Sequence, residues 1–331
     1  MNSLYAFRFI VCFFLLLSST GCSKEQTDDM ITPPSESSPD VLSYQTGRNA
    51  YQIDVDGTSR NFFVHVPHSY SDDTPTPIVF MIHGSGGSGS DQYDTSGWKE
   101  VADQHGFIVV FPTALTYFVE TIGRNQTKWS AGGLAKDLPE GTEIIDDIPF
   151  FTRMLELLQN TFTVDDSRIY ANGFSNGGGF VASRLMVEMT SVWAAVAGSG
   201  SIGLPQAYAL QGDEPISFYS LTGNTDDKKL VQAEAEKPFP MHPDSIMAHP
   251  FLRNSIGHAL NALHLQDSYQ SQVEAPYFSH LSFRSTTNGE SNEFRFTMVK
   301  DMGHIWARGG NHPSGMKVAE VFWDFFKEKE K

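Results

Sequence analysis

The stretch that most constrains what this chain can fold into is Gly173-Phe174-Ser175-Asn176-Gly177. It sits between a short apolar-leaning run, Arg168-Ile169-Tyr170-Ala171-Asn172, and a segment in which Val181, Leu185 and Met189 keep a helical period. Gly-x-Ser-x-Gly between a strand and a helix is the setting of a nucleophile elbow, a turn sharp enough to project the serine hydroxyl outward. The glycines belong there because the backbone on either side of the serine must pass close to its neighbours without a Cβ. Three fixed positions also arise by chance in long chains. The rest of the sequence must therefore supply a sheet for the strand, a base for Ser175 and donors for a developing negative charge.

A suitable sheet is predicted. Ile78-Val79-Phe80-Met81-Ile82 is continuously apolar, as a strand covered on both faces would be. Phe107–Phe111, Trp193–Val196, Ile216–Leu221 and residues 277–286 and 293–300 also read as strands. Upstream, the runs Tyr51–Val55 and Arg60–Val66 alternate in polarity around Asp56-Gly57-Thr58-Ser59, the pattern of an antiparallel hairpin. Helical spacing marks Ser96–Gln104, residues 146–162 and Ser314–Lys329. Strands alternating with helices predict an α/β fold with a mostly parallel central sheet, helices on both faces and antiparallel N-terminal edge strands. With 331 residues, 40% of them hydrophobic, the chain can bury this as one large domain, expected over residues 46–331 as a monomer. The irregular section from Pro112 to about Gly141, holding Tyr117, Phe118 and Trp129, is long enough to predict a functional surface loop.

Ligands of open α/β sheets bind beyond the carboxyl ends of the strands, so the turns that follow the predicted strands are where chemistry belongs. Ser175 is the candidate nucleophile and needs a neighbouring base. Of 11 histidines, His304 has the best setting, in Met302-Gly303-His304-Ile305-Trp306 after the last strand. The acid is sought in Leu221-Thr222-Gly223-Asn224-Thr225-Asp226-Asp227, where Asp226 and Asp227 both qualify by position and Asp226 is preferred. The loop His83-Gly84-Ser85-Gly86-Gly87-Ser88-Gly89 fits an oxyanion loop, with the Ser85 backbone N–H as first choice, Gly86 next, and Asn176 N–H as the second donor. No Gly-Lys-Ser/Thr follows that loop, which removes a phosphate-binding reading. Trp98, Trp129 and Trp306, with Tyr117 and Phe118, are candidates to wall a substrate pocket. His83 reads as structural. His242, His249 and His258 match no ligand spacing, and no metal is assigned.

A formal charge of -16 argues against a nucleic-acid partner, which would need clustered Lys and Arg. Arg8, the apolar run Phe9–Leu17 and Ser18-Ser19-Thr20-Gly21-Cys22 read as an export signal. Residues 23–45, rich in Ser, Pro, Asp, Glu and Thr, then read as a flexible tether. The end of the signal resembles a bacterial lipobox, with Ser19 where an aliphatic residue is usual. That resemblance implies lipidation at Cys22 and a protein held at a membrane by its lipid, with ordinary signal-peptide cleavage and secretion as the alternative. The only other cysteine is Cys12, so the mature chain must fold without disulfides.

With these residues in place, the chain resembles the polyhydroxybutyrate depolymerase and feruloyl esterase branch of the α/β-hydrolases, through Ile82–Gly87, Ser96–Trp98, Gly106–Pro112, Trp129, Asp146–Phe150, Gly173–Gly178 and Gly303–Trp306. The resemblance implies hydrolysis of carboxylic esters by Ser175, His304 and Asp226 without a cofactor. The expected substrates are small-molecule or polymeric, as feruloyl or acetyl esters on plant polysaccharide or short polyhydroxyalkanoates. Two features depart from that branch: Ser85 stands where a cysteine is frequent, and Ala307-Arg308 follows Trp306 where Pro-Gly is frequent. A serine peptidase with the same three residues, and a non-catalytic carbohydrate-binding lipoprotein on the same scaffold, are the competing expectations.

Overall fold

The computed structural model describes residues 41–212, 214, 216–287 and 291–331. The expected signal peptide, Cys22 and residues 23–40 of the expected tether lie outside the described residues. Leu42 and Tyr44, inside the expected tether, are already packed. The Leu42 amide donates to Thr161 Oγ1, and the Tyr44 ring lies 4.7 Å from that of Phe162.

The sheet has ten strands, ordered β1 (Gly47–Val55), β2 (Thr58–Val66), β4 (Ile108–Pro112), β3 (Thr76–Ile82), β7 (Val164–Phe174), β8 (Ala195–Ser199), β9 (Ser217–Gly223), β12 (Glu293–Val299), β11 (Phe278–Arg284) and β10 (Gln270–Glu274). From β4 to β12 neighbouring strands are parallel. Antiparallel strands extend the sheet at both ends. The expected N-terminal hairpin is present, closed by Asp56-Gly57 with both residues at positive φ. At the second antiparallel end, β11 falls within the strand expected over residues 277–286, whereas β10 has no counterpart among the expected strands, because every residue of β10 is exposed and it carries no apolar period.

Alternation along the central strands divides the core. Ile78, Phe80 and Ile82 face one layer, made by α3 (Ile148–Thr161), the elbow helix α4 (Asn176–Phe180) and α8 (Pro250–Ala262). Val79 and Met81 face the other, made by α1 (Gly89–Thr95), α2 (Trp98–His105) and α9 (Val318–Phe326). Beyond α4 the backbone loosens into one π-turn, Val181–Leu185, before α5 (Met186–Glu188), and two further helices, α6 (Asp227–Gln232) and α7 (Pro243–Ala248), follow β9. The section from Pro112 to Gly141 is not wholly irregular: it carries a hairpin of β5 (Thr116–Val119) and β6 (Arg124–Thr127). The last helix is shorter than expected at both ends, starting only after Lys317, which is extended and bridged to Arg308, and ending where its apolar face ends at Phe326.

Candidate active site

The parallel strands deliver their carboxyl ends to one edge, and His83, Ser175, Asp226 and His304 all lie just beyond such ends. Ser175 has φ 55° and ψ -117°, outside the helical and extended regions. The turn holds because its surroundings over-determine it: the Ser175 amide donates to Ser199 O at 2.9 Å, on the neighbouring strand. The flanking glycines are required by space. A Cβ on Gly173 would lie 2.5 Å from the Gly177 carbonyl carbon, and one on Gly177 would lie 2.4 Å from the carbonyl oxygens of Ile82 and His83.

His304 reaches Ser175 from the loop after β12. Its Nε2 lies 2.7 Å from Ser175 Oγ, and its Nδ1 lies 2.9 and 2.8 Å from the two carboxylate oxygens of Asp226. With the carboxylate accepting from Nδ1–H, Nε2 is left to accept the serine proton. Asp226 is fully buried and also caps α6, its Oδ1 accepting from the Lys229 amide at 3.1 Å. A buried carboxylate with several donors is held in one orientation. Asp227, the alternative left open by position, is exposed and pairs with Lys228 at 3.0 Å; that hydrogen bond holds its carboxyl below the usual range. The Phe174 ring lies 5.0 Å from the imidazole of His304.

The loop after β3 runs against Ser175, since a Cβ on Gly84 would come within 3.2 Å of Ser175 Cβ. The Gly86 amide is taken, donating to Thr127 O at 2.9 Å, and the Gly87 amide donates to Gly84 O at 3.1 Å. Neither the Ser85 nor the Asn176 amide has an acceptor among the described residues. Asn176 is the first residue of its helix, where an amide has no intrahelical partner. Of the two sequence choices in this loop, Ser85 is thus the one with a free N–H.

His83 is buried in the loop's base. Its Nε2 accepts from the Ala114 amide at 3.0 Å, which leaves the ring proton on Nδ1 to donate to Gly84 O at 2.7 Å. Burial pushes its pKa down to about 4, so the ring is neutral at pH 7.

Two of the three tryptophans expected to wall a pocket do not reach one. Trp98 is fully buried between the sheet and α9, its Nε1 donating to Asn172 Oδ1 at 3.0 Å. Trp129 is also fully buried, stacked on Phe180. Tryptophan is as much a core residue as a binding one, and sequence alone offers no sign of which side of the sheet its ring will reach. Trp306 remains half-buried, edge-on to Phe174, with Nε1 donating to Ser96 O at 2.9 Å. Tyr117 is buried beneath the hairpin, whereas Phe118 is exposed. Among the described residues no group of three or more His, Cys, Asp or Glu could hold a metal ion, and no helix is long and apolar enough to cross a membrane.

No protein-family model matches the chain. Four curated relatives do, three of them named for acetylxylan or feruloyl esters. The chain is 24% identical over 173 residues to a bifunctional acetylxylan esterase/xylanase of Neocallimastix patriciarum, covering 52% of this chain and 22% of that protein. It is 23% identical over 185 residues to feruloyl esterase D of Neurospora crassa, covering 55% and 59%. It is 26% identical over 261 residues to feruloyl esterase B of Talaromyces funiculosus, covering 75% and 69%. The chain therefore spans from about a fifth to two thirds of the length of these relatives. Among solved structures, an acetyl xylan esterase from Aspergillus awamori superposes with a TM-score of 0.52 at 14% identity, over 84% of this chain and 99% of that one. An S-formylglutathione hydrolase from Agrobacterium tumefaciens superposes with a TM-score of 0.53 at 15% identity, over 87% and 98%. The fold is that of the α/β-hydrolases. The expected α/β class, parallel centre and antiparallel N-terminal edge all hold.

Proposed function

We propose that this chain is a serine carboxylesterase in which Ser175 attacks the ester carbonyl and forms an acyl-enzyme. The observation that carries the reading is the single line of contacts from Ser175 Oγ to His304 Nε2 and from His304 Nδ1 to the buried carboxylate of Asp226. In the first half-reaction His304 takes the serine proton and returns it to the leaving alcohol; in the second it takes a proton from the attacking water and returns it to Ser175 Oγ as the bond from Oγ to the acyl carbon breaks, releasing the acid. Asp226 holds the imidazole in the required tautomer and stabilises the imidazolium. The Ser85 and Asn176 amides would receive the negative oxygen of each tetrahedral intermediate, and loss of one such donor costs about 10²–10³-fold in rate in comparable enzymes. No step calls for a cofactor.

The relatives' names support an acetyl or feruloyl ester carried on plant polysaccharide, with short polyhydroxyalkanoates as the further class implied by the sequence resemblance. Residues 46–331 would form the catalytic domain, exported and tethered through a lipid on Cys22; the mass of the N-terminal peptide from the native host tests that anchor. The activity is tested with Ser175→Ala, which should abolish p-nitrophenyl acetate turnover while the cooperative melt is kept. Turnover comparable to wild type in that variant would sink the assignment. Parallel rates on methyl ferulate, acetylated xylan, hydroxyalkanoate oligomers and a peptide amide then select the substrate class.

A further inference from the structure

Trp129 was expected in a pocket wall, yet it touches both sides of the site from beneath. Its indole Nε1–H donates to the carbonyl of His83 at 2.9 Å, at the root of the loop that carries Ser85. Its backbone N–H donates to the Asn176 side-chain Oδ1 at 2.9 Å, on the residue that follows the nucleophile. One buried residue thus spans the two segments that carry the unpaired Ser85 and Asn176 amides. We infer that Trp129 is a positioning residue that sets the separation and direction of the two oxyanion donors, Ser85 N–H and Asn176 N–H. The inference rests on the serine-hydrolase reading above and goes beyond it in naming what fixes the geometry.

The direction of the Ser85 amide follows from the same contacts. The Gly84 carbonyl is held inside the loop by two donors, His83 Nδ1–H at 2.7 Å and the Gly87 amide at 3.1 Å. Across a trans peptide the N–H points opposite to the C=O, so the Ser85 amide is turned out of the loop. His83 sets that plane, and Trp129 holds His83 by its carbonyl and by packing against its ring, with centroids 5.0 Å apart. On the other side, the Asn176 side chain is anchored to the Trp129 backbone while its own amide stays free. Trp129 is itself held on Phe180 and Phe151. The next residue, Ser130, donates its amide to buried Asp147. Donor placement matters because oxyanion stabilisation is preorganised electrostatics, and a shift of about 1 Å can cost on the order of 10²-fold.

The test compares full-length wild type with Trp129→Phe, which keeps a ring but loses Nε1–H, and Asn176→Ala, which keeps the amide but loses Oδ1. Active sites are counted with a fluorophosphonate, so that kcat refers to folded, competent molecules. Positioning predicts that per-site kcat on p-nitrophenyl acetate falls about tenfold or more in each variant while KM stays within about threefold. It also predicts that the inhibition constant of phenylboronic acid, a tetrahedral adduct of the serine, rises by the same factor as kcat/KM falls. A merely structural role would lower the count of active sites and the melting temperature with per-site kcat and boronate affinity unchanged, and that outcome overturns the inference. Should Trp129→Phe fail to fold, Asn176→Ala decides alone. Ser175→Ala runs alongside: if it retained turnover, the hydrolase reading would fall, whereas an inactive Ser175→Ala beside unchanged per-site rates removes only the role of Trp129.

Discussion

At the scale of single residues, the site distinguishes neighbours that look alike in sequence. Asp226 and Asp227 are adjacent carboxylates in one turn, but only Asp226 is buried and in contact with His304. Asp226→Asn should lower kcat by roughly 10⁴-fold, the loss the same change causes in a serine peptidase, because an amide can stabilise the wrong imidazole tautomer. Asp227→Asn, at an exposed carboxylate paired with Lys228, should stay within about twofold. Steady-state rates at pH 7 check both, and comparable losses would mean the two aspartates share the role. Gly200 is a second such residue, since it lies after β8 with φ 65° and a Cβ there would come 3.1 Å from His304 Cε1 and 3.0 Å from Phe174 Cε2. Gly200→Ala should therefore push the imidazole off Ser175, lowering kcat by about 10²-fold with a small change in KM. A normal kcat would show that the imidazole can give way without losing its contact. Neither glycine-to-histidine packing nor the state of a neighbouring carboxylate leaves a local sequence signal, so both had to come from the fold.

At the scale of elements, the supports of the site are the parts the sequence hid. The β5–β6 hairpin buttresses the loop that carries Ser85 through the Gly86 amide on Thr127 O and through Thr127 Oγ1 on Gly87 O at 2.6 Å. Its strands, Thr-Tyr-Phe-Val and Arg-Asn-Gln-Thr, offer four residues each, and the second has no apolar residue, so no periodicity could announce them. The start of α3 is fixed by another hidden device. Arg60 of β2 lies 2.6 Å from Asp147, both nearly without exposure, and its guanidinium sits 4.0 Å over the Phe150 ring. The second oxygen of Asp147 accepts from the Ser130 amide at 2.7 Å, which ties this pair to the segment carrying Trp129. Removing one partner of a buried pair strands the other charge, so Arg60→Met should cost about 3–5 kcal/mol in urea unfolding. Adding Asp147→Asn should recover part of that loss. A cost below about 1 kcal/mol for the single change would mean that water reaches Asp147 in solution.

At the scale of the whole molecule, the sequence was most readable where burial on both faces forces continuous apolar runs, as in Ile78–Ile82, and where turn chemistry is specific, as in Asp56-Gly57 and Gly173–Gly177. It was least readable where a role depends on which layer a ring enters, as for Trp98 and Trp129, or where an element is wholly exposed, as for β10. The same layering gives the fold a pH signature. His83 must stay neutral in the folded state, with its pKa depressed by burial to about 4, against about 6.5 in an unfolded chain. Between those values the unfolded chain holds up to one proton more than the folded one, so stability falls as pH falls. The contribution is complete above pH 6.5 and is lost on approach to pH 4, and the difference amounts to on the order of 3 kcal/mol. The buried Glu293 acts at lower pH: burial raises its pKa, but Arg295 and Lys329 outweigh this and hold it below 4.5, so its loss begins only there. Urea unfolding from pH 7 to 4.5 should therefore show a steeper decline in wild type than in His83→Gln, which cannot titrate. The difference should approach one proton, about 1.4 kcal/mol per pH unit at its steepest. Equal slopes would show that the loop opens and hydrates His83 before the fold is lost. Ser85 would then not be held rigidly over Ser175 in acid, and kcat would decline with the same midpoint.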